Sequence, residues 1–172
     1  MLNYKNFAFR KDYFKMKKKT LYIAYGSNIN LEQMACRCPT ATKFGSGTIS
    51  DYELEFRRVA TIVPKADSVV PVLLWELEPS DEKSLDRYEG YPNFYRKEYF
   101  ELEIDGEIRE AMAYVMNGGQ INIPSETYYN GIEKGYLDNG LDTSYLEKAL
   151  EQAYQSVEEV QDCEEGFQFE FE

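Results

Sequence analysis

Two short stretches of this chain hold the residue types from which a site could be built. The first is Leu21-Tyr22-Ile23-Ala24-Tyr25-Gly26-Ser27-Asn28, an apolar run that breaks into a small polar turn. Gly26 lets a ligand approach the main chain closely. A turn feeding a helix start also leaves N–H groups pointing outward, which suits an anion. The turn lacks the glycines and the lysine of a phosphate loop. Nor is it a nucleophile elbow: a single glycine flanks Ser27, and the chain contains no histidine to activate a serine. Without histidine, general acid–base chemistry falls to Asp, Glu, Lys, Tyr or Cys. Among the many carboxylates Glu89 stands apart, within Leu85-Asp86-Arg87-Tyr88-Glu89-Gly90-Tyr91-Pro92. Its tyrosine neighbours desolvate it, and the negative end of a helix lies beside it. Both effects raise a carboxyl pKa toward the range of a working base. The same context also fits a surface residue that caps a local turn. Cys36, Cys38 and Cys163 are an odd set with no disulfide framework. A zinc site at Cys36-Arg37-Cys38 would need a carboxylate or Cys163 to complete it, so the thiols read as structural and no metal is expected.

The elements that must position these groups can be read from local pattern. Residues up to Tyr25 form a buried strand, and Asn30 opens a short helix to Arg37, with Gln33 at capping-box spacing and Pro39 closing it. Ala41 to Phe56 predicts strands joined near Gly45-Ser46-Gly47. Ala60-Thr61-Ile62-Val63 predicts a short strand closed by Pro64, and Val69 to Leu77 one buried on both faces, with Pro71 hinting at an edge or bulge. Pro79-Ser80-Asp81-Glu82 predicts a helix start with Ser80 as the cap and Gly90 as the end. Phe94 to Ile104 and Glu107 to Met116 form a hairpin across Asp105-Gly106. Pro124-Ser125 opens a helix toward Gly135 or Asp138, and a last helix covers about Ser144 to Gln161, before an acidic, frayed tail. The pattern is one α+β domain with five to seven mostly antiparallel strands.

Taken together, the two stretches resemble the gamma-glutamylcyclotransferase family. The likeness runs in order over about residues 20–155: the Tyr25-Gly26-Ser27-Asn28 turn, Met34, Arg37, Pro39 and Ala41, then Asp51 to Phe56, Ala60 to Pro64 and Val72 to Trp75. It continues through Leu85-Asp86-Arg87-Tyr88-Glu89-Gly90, Tyr95, Ala113 to Met116, Pro124 to Tyr128 and Gly135 to Leu141. The resemblance implies a small mixed, mostly antiparallel β-barrel, closed or nearly so, with surrounding helices. It also implies conversion of a gamma-glutamyl amino acid or amine into 5-oxoproline and a free amine, with no cofactor. Glu89 falls on the family's catalytic glutamate, the substrate-binding loop on Tyr22, Ile23, Ala24, Tyr25, Gly26 and Ser27, and pocket-lining positions on Tyr128 and Tyr95. Tyr114 is a weaker candidate for which core packing is the better reading. The leaving amine stays open, a specialised gamma-glutamylamine included. A protein that binds a gamma-glutamyl or pyroglutamyl ligand without turnover, or a plain interaction domain, are the other readings.

Composition narrows the partners. With 43% hydrophobic residues over 172 positions the chain is globular, and a net charge of −12 disfavours a phosphate backbone. The charge is uneven. Residues 1–19 hold seven of the 19 basic residues and one of the 31 acidic ones, which leaves 12 basic against 30 acidic groups in the remainder. That segment has no apolar core for a signal peptide, and it reads as a disordered basic extension with Met16 as the natural start, rather than an arm for a membrane or nucleic acid. The expected division is an extension over 1–19, a domain over 20–160 and an acidic tail over 161–172, in a cytoplasmic protein whose partner is a small gamma-glutamyl substrate. The oligomeric state is left open, a homodimer included.

Overall fold

A computed structural model describes residues 19–104 and 106–168, with the backbone alone from 161 onward. The basic extension up to Lys18, Asp105 of the hairpin turn and residues 169–172 lie outside the described residues. The elements follow in the order β1 (Thr20–Ala24), α1 (Leu31–Arg37), β2 (Thr42–Arg57), β3 (Val59–Leu77), α2 (Pro79–Tyr88), β4 (Tyr95–Ile104), β5 (Glu107–Met116), α3 (Glu126–Asp138) and α4 (Ser144–Gln168).

The strands form one mixed sheet in the order β2-β3-β1-β5-β4. β1 is central: it runs antiparallel to β3, with Tyr22 opposite Trp75, and parallel to β5, with Tyr22 beside Met112. Burial on both sides explains its unbroken apolar sequence. The sheet is open rather than a closed barrel. Its outer strands β2 and β4 approach through an edge-to-face contact of Tyr52 on Phe100, but no ladder joins them among the described residues.

The fold departs from the local sequence pattern mainly in β2 and β3. Gly45-Ser46-Gly47 is not a turn but part of one continuous strand paired with Leu74, Leu73 and Val72. The glycine-rich stretch follows a register shift between Lys43 and Gly45, where a bulge bends the strand. Likewise the two apolar runs expected as separate strands are the two ends of β3, which passes through Pro64 and Pro71. Pro71 lies beyond Leu73, where pairing with β1 stops, so its missing N–H costs no bond to that neighbour.

Helix starts follow local chemistry more closely. Asn30 caps α1 by accepting from the Gln33 N–H at 3.1 Å, and Ser125 caps α3 by accepting from Tyr128 N–H at 3.3 Å. At α2 the cap is Glu78 rather than Ser80. Its N–H donates to the buried Asp81 carboxylate at 3.0 Å, and Thr40 Oγ1 donates to the same group at 2.7 Å, tying α2 to the segment after α1. α4 packs on β2 and continues to Gln168, past the expected end near Gln161. Among the described residues no helix is long and apolar enough to cross a membrane.

Candidate functional site

Glu89 is placed by the way α2 ends. It occupies the C-cap position, followed by Gly90 in the left-handed region at φ +62°. Gly90 N–H donates to Arg87 O at 3.3 Å and Tyr91 N–H to Asp86 O at 2.9 Å, the paired bonds of a glycine-terminated helix. The cap fixes the Glu89 backbone, and a hydrogen bond from Asn28 fixes its carboxyl. Leu85, fully buried one turn earlier, anchors the helix against the core.

The turn after β1 faces that carboxyl. Ser27–Ile29 forms a single 3-10 turn, and the N–H groups of Gly26, Ser27 and Asn28 donate to no acceptor among the described residues. Gly26 is confined as well as flexible. A β-carbon there would lie 3.2 Å from Ala60 Cβ and 3.4 Å from Tyr128 Oη. Between turn and helix end lies a small cleft, lined by Tyr22, Tyr25, Gly26, Ser27, Asn28 and Glu89, with Ala60, Tyr95, Tyr114 and Tyr128 completing it.

Hydrogen bonds hold the walls. Asn28 Nδ2 donates to Glu89 Oε1 at 2.9 Å and to Tyr22 Oη at 2.8 Å. Arg37 donates to Asn28 Oδ1 at 2.7 Å, Ser27 Oγ at 3.0 Å and Gln33 Oε1 at 2.6 Å, while its guanidinium covers the Tyr88 ring at 3.8 Å. Tyr95 and Tyr128 grip one residue of β3. Tyr95 Oη donates to Ala60 O at 2.8 Å, and Ala60 N–H donates to Tyr128 Oη at 3.1 Å, which leaves the Tyr128 proton to point elsewhere. Tyr25 Oη donates to the Tyr114 carbonyl, and Tyr114 Oη donates to Asp86 at 2.7 Å.

The electrostatics follow from this burial. Desolvation pushes Glu89 up to about 7, against the opposing pull of the Asn28 amide and the Arg37 guanidinium. Burial also raises the phenols of Tyr22, Tyr25, Tyr95 and Tyr114, and lifts Tyr128 to about 12, so these groups stay neutral around a carboxyl that titrates near neutrality. Among the described residues no group of three or more carboxylates or thiols is placed to hold a metal. Cys36 is exposed, and Cys38 is buried with its Sγ 3.6 Å from Asp81 O.

Of the residues singled out from sequence, Tyr22, Tyr25, Gly26, Ser27, Glu89, Tyr95 and Tyr128 meet at one cleft, and Tyr114 joins them. Ile23 and Ala24 do not line it. They are interior β1 residues paired with Leu74 and Leu73. Asn28, Arg37, Tyr88 and Ala60 belong to the cleft or its support without having been singled out as site residues. Asn28 closes the turn motif itself and could have been included on that ground. Arg37 carries no spacing signal beyond lying four residues after Gln33 on one helix face.

A family model described as gamma-glutamyl cyclotransferase, AIG2-like, matches residues 22–132. The gamma-glutamylcyclotransferase of Homo sapiens is 29% identical over 136 residues, covering 69% of this chain and 71% of that protein. Its Mus musculus counterpart is 30% identical over the same length and shares of each chain. A solved gamma-glutamyl cyclotransferase superposes with a TM-score of 0.69 at 28% identity, over 76% of this chain and 86% of that one. YkqA from Bacillus subtilis, 19% identical with a TM-score of 0.66 over 81% of this chain and 56% of that one, shares the fold.

Proposed function

Because the chain belongs to the gamma-glutamyl cyclotransferase, AIG2-like family, we propose that it cyclises a gamma-glutamyl amino acid or amine to 5-oxoproline and releases the amine, with Glu89 moving the protons. One observation carries the reading: a carboxyl raised to about 7 shares a cleft with a turn whose Gly26, Ser27 and Asn28 N–H groups donate to no acceptor among the described residues. Gamma-glutamyl substrates carry their own nucleophile. The α-nitrogen attacks the γ-carbonyl carbon, a five-membered ring closes, and the bond from that carbon to the leaving nitrogen breaks. Because nucleophile and electrophile share one molecule, the protein need only hold the chain folded for this attack and freeze the rotations that separate them.

Glu89 as carboxylate takes one proton from the α-ammonium and, as the acid, gives it to the leaving nitrogen. The attacking nitrogen sheds its second proton, acidic once it is bonded to the carbonyl carbon, by the same route. The lactam thus keeps one N–H, and the amine leaves as an ammonium. The glutamate therefore returns to its starting state with no net proton exchanged. The N–H groups of Gly26, Ser27 and Asn28 bind the substrate's α-carboxylate and the oxygen that becomes negative. Tyr22, Tyr25, Tyr95 and Tyr128 enclose the glutamyl carbons and keep water from the carboxyl, and the uncommitted Tyr128 proton is available to the substrate. These groups need no cofactor for the steps assigned to them.

The test is formation of 5-oxoproline from a panel of gamma-glutamyl amino acids and amines. Glu89→Gln is expected to lower kcat by about 10²–10⁴-fold with KM little changed, the range of a lost general acid–base. Tight binding of the panel without product, or a fully active Glu89→Gln, would overturn the assignment.

A further inference from the structure

Asn28 presents its amide nitrogen to Glu89, and that orientation is not arbitrary. An asparagine amide can turn over and offer its carbonyl oxygen instead, which would favour a protonated carboxyl able to donate to it. Arg37 removes the choice. A guanidinium has donors and no acceptor, so the atom it meets at 2.7 Å must be Asn28 Oδ1. The two N–H groups on the other side are then committed, one to Tyr22 Oη at 2.8 Å and one to Glu89 Oε1 at 2.9 Å. Arg37 is itself held on three sides, by Gln33 Oε1, Ser27 Oγ and the face of Tyr88. Its side chain is only half-buried, and it is Asn28, almost wholly buried, that makes the hydrogen bond to the carboxyl.

We propose that Arg37 is a positioning residue of this site: it locks the Asn28 amide so that Glu89 is met by a donor and kept available as a base. The proposal rests on Glu89 being the proton-transfer group.

The surroundings of Glu89 isolate this effect. Facing it are Tyr22 and Tyr25 from β1 and its turn, Tyr88 from its own helix, Tyr95 from β4, Tyr114 from β5, Tyr128 from α3, and Cys38 after α1. Burial holds the Cys38 thiol up at about 12, so it is neutral in the working range, as are the phenols of Tyr22, Tyr25, Tyr95, Tyr114 and Tyr128. Arg37 is the one charged group acting on Glu89 among the described residues. Burial of the carboxyl and the Arg37–Asn28 pair therefore pull in opposite directions, and removing the pair leaves burial unopposed. The sign is fixed: the carboxyl then holds its proton to higher pH.

The experiment is the pH dependence of kcat/KM, followed by 5-oxoproline release, in wild type, Arg37→Met, Arg37→Lys and Glu89→Gln. Arg37→Met keeps a long stem over Tyr88 but lacks donors and charge. Its acid limb is expected to move to higher pH by about one unit. Arg37→Lys again offers donors without an acceptor, and should restore at least half of that shift. The carboxyl infrared band that titrates in wild type and is missing from Glu89→Gln should move with the limb. This second readout is independent of turnover, and a merely structural role would not move it. Should Arg37→Met fail to fold, Arg37→Gln, whose amide lets Asn28 turn over, carries the same expectation. An unmoved limb and band in the folded variant, or a lysine variant shifted as far as the methionine one, overturns the role of Arg37. A fully active Glu89→Gln instead overturns the reading of Glu89 on which it rests.

Discussion

Glu89 is held in a place that suits chemistry and strains stability. Its pKa of about 7 in the fold lies above the ordinary 4.5. Between those values the folded protein keeps a proton that the unfolded chain has lost. Native stability therefore falls as pH rises from 4.5 toward 7, and the penalty is complete above that. A shift of this size corresponds to about 3 kcal/mol, taken as an upper figure because part of the group meets solvent. Glu89→Gln replaces the group by a neutral side chain of the same shape. It should therefore be more stable than wild type in denaturant titrations at pH 8 by about 1–3 kcal/mol, with the difference closing toward pH 4.5. Equal stability at pH 8 would mean that the carboxyl is solvated well enough to ionise freely, and the base would then be an ordinary one. The same residue shows what local reading can reach. Tyrosine neighbours, a helix end and Gly90 are visible within a few positions, and they mark both the cap and the raised pKa. They do not reveal Asn28, whose amide arrives from the other side of the cleft.

At the scale of elements, α3 rests directly on the turn that forms half the site. Gly135 lies within the helix rather than at its end, and a β-carbon there would come 2.7 Å from Ile29 Cγ2 and 2.8 Å from the Asn30 nitrogen. Asn30 Nδ2 donates to Gly131 O at 2.9 Å and Asn139 Nδ2 to Ile29 O at 3.2 Å, so the seam is bonded as well as packed. In an open helix Gly→Ala stabilises by about 1 kcal/mol. Here backbone atoms block the methyl, and Gly135→Ala should destabilise by about 1–3 kcal/mol instead. It should also raise KM, because Tyr128 and the Ser27–Ile29 turn are carried by the two elements forced apart. Thermal unfolding and steady-state kinetics on the one variant check both, and a higher melting temperature would show that the seam can open at no cost. What was legible at this scale follows the reach of the interactions. The caps at Asn30 and Ser125 and the glycine stop at Gly90 are settled within one turn of chain. β2 and β3 are not. Gly45-Ser46-Gly47 looks like a turn until Leu73 and Leu74 pair with it, and Pro64 looks like a stop until Tyr52 lies opposite.

For the molecule as a whole, the cleft is a product of assembly. β1, β3, β4 and β5 supply its floor and sides, α2 and α3 its rim, and Arg37 reaches it from α1. The sequence motifs located the turn and the glutamate because each is contiguous. Arg37 escaped because its partners Ser27, Asn28 and Tyr88 come together only in the folded chain, as the open curl of the sheet also does. The charge of the molecule acts over a longer range than any of these contacts. At −12 it repels an anionic ligand before contact. A gamma-glutamyl amino acid has two carboxylates and one ammonium, a net −1, whereas a simple gamma-glutamyl amine is a zwitterion of no net charge. Raising the ionic strength from 0.01 to 0.15 M shortens the screening length from about 30 to about 8 Å. kcat/KM for the amino-acid substrate should rise by roughly two- to fivefold over that range, while the zwitterionic amine stays nearly level. A fall for the anionic substrate alone would mean that the guanidinium of Arg37, and not the acidic body, governs the field at the mouth of the cleft. The salt dependence thus separates the global charge from the local one with wild-type protein, and it does so for both classes of leaving group in one set of assays.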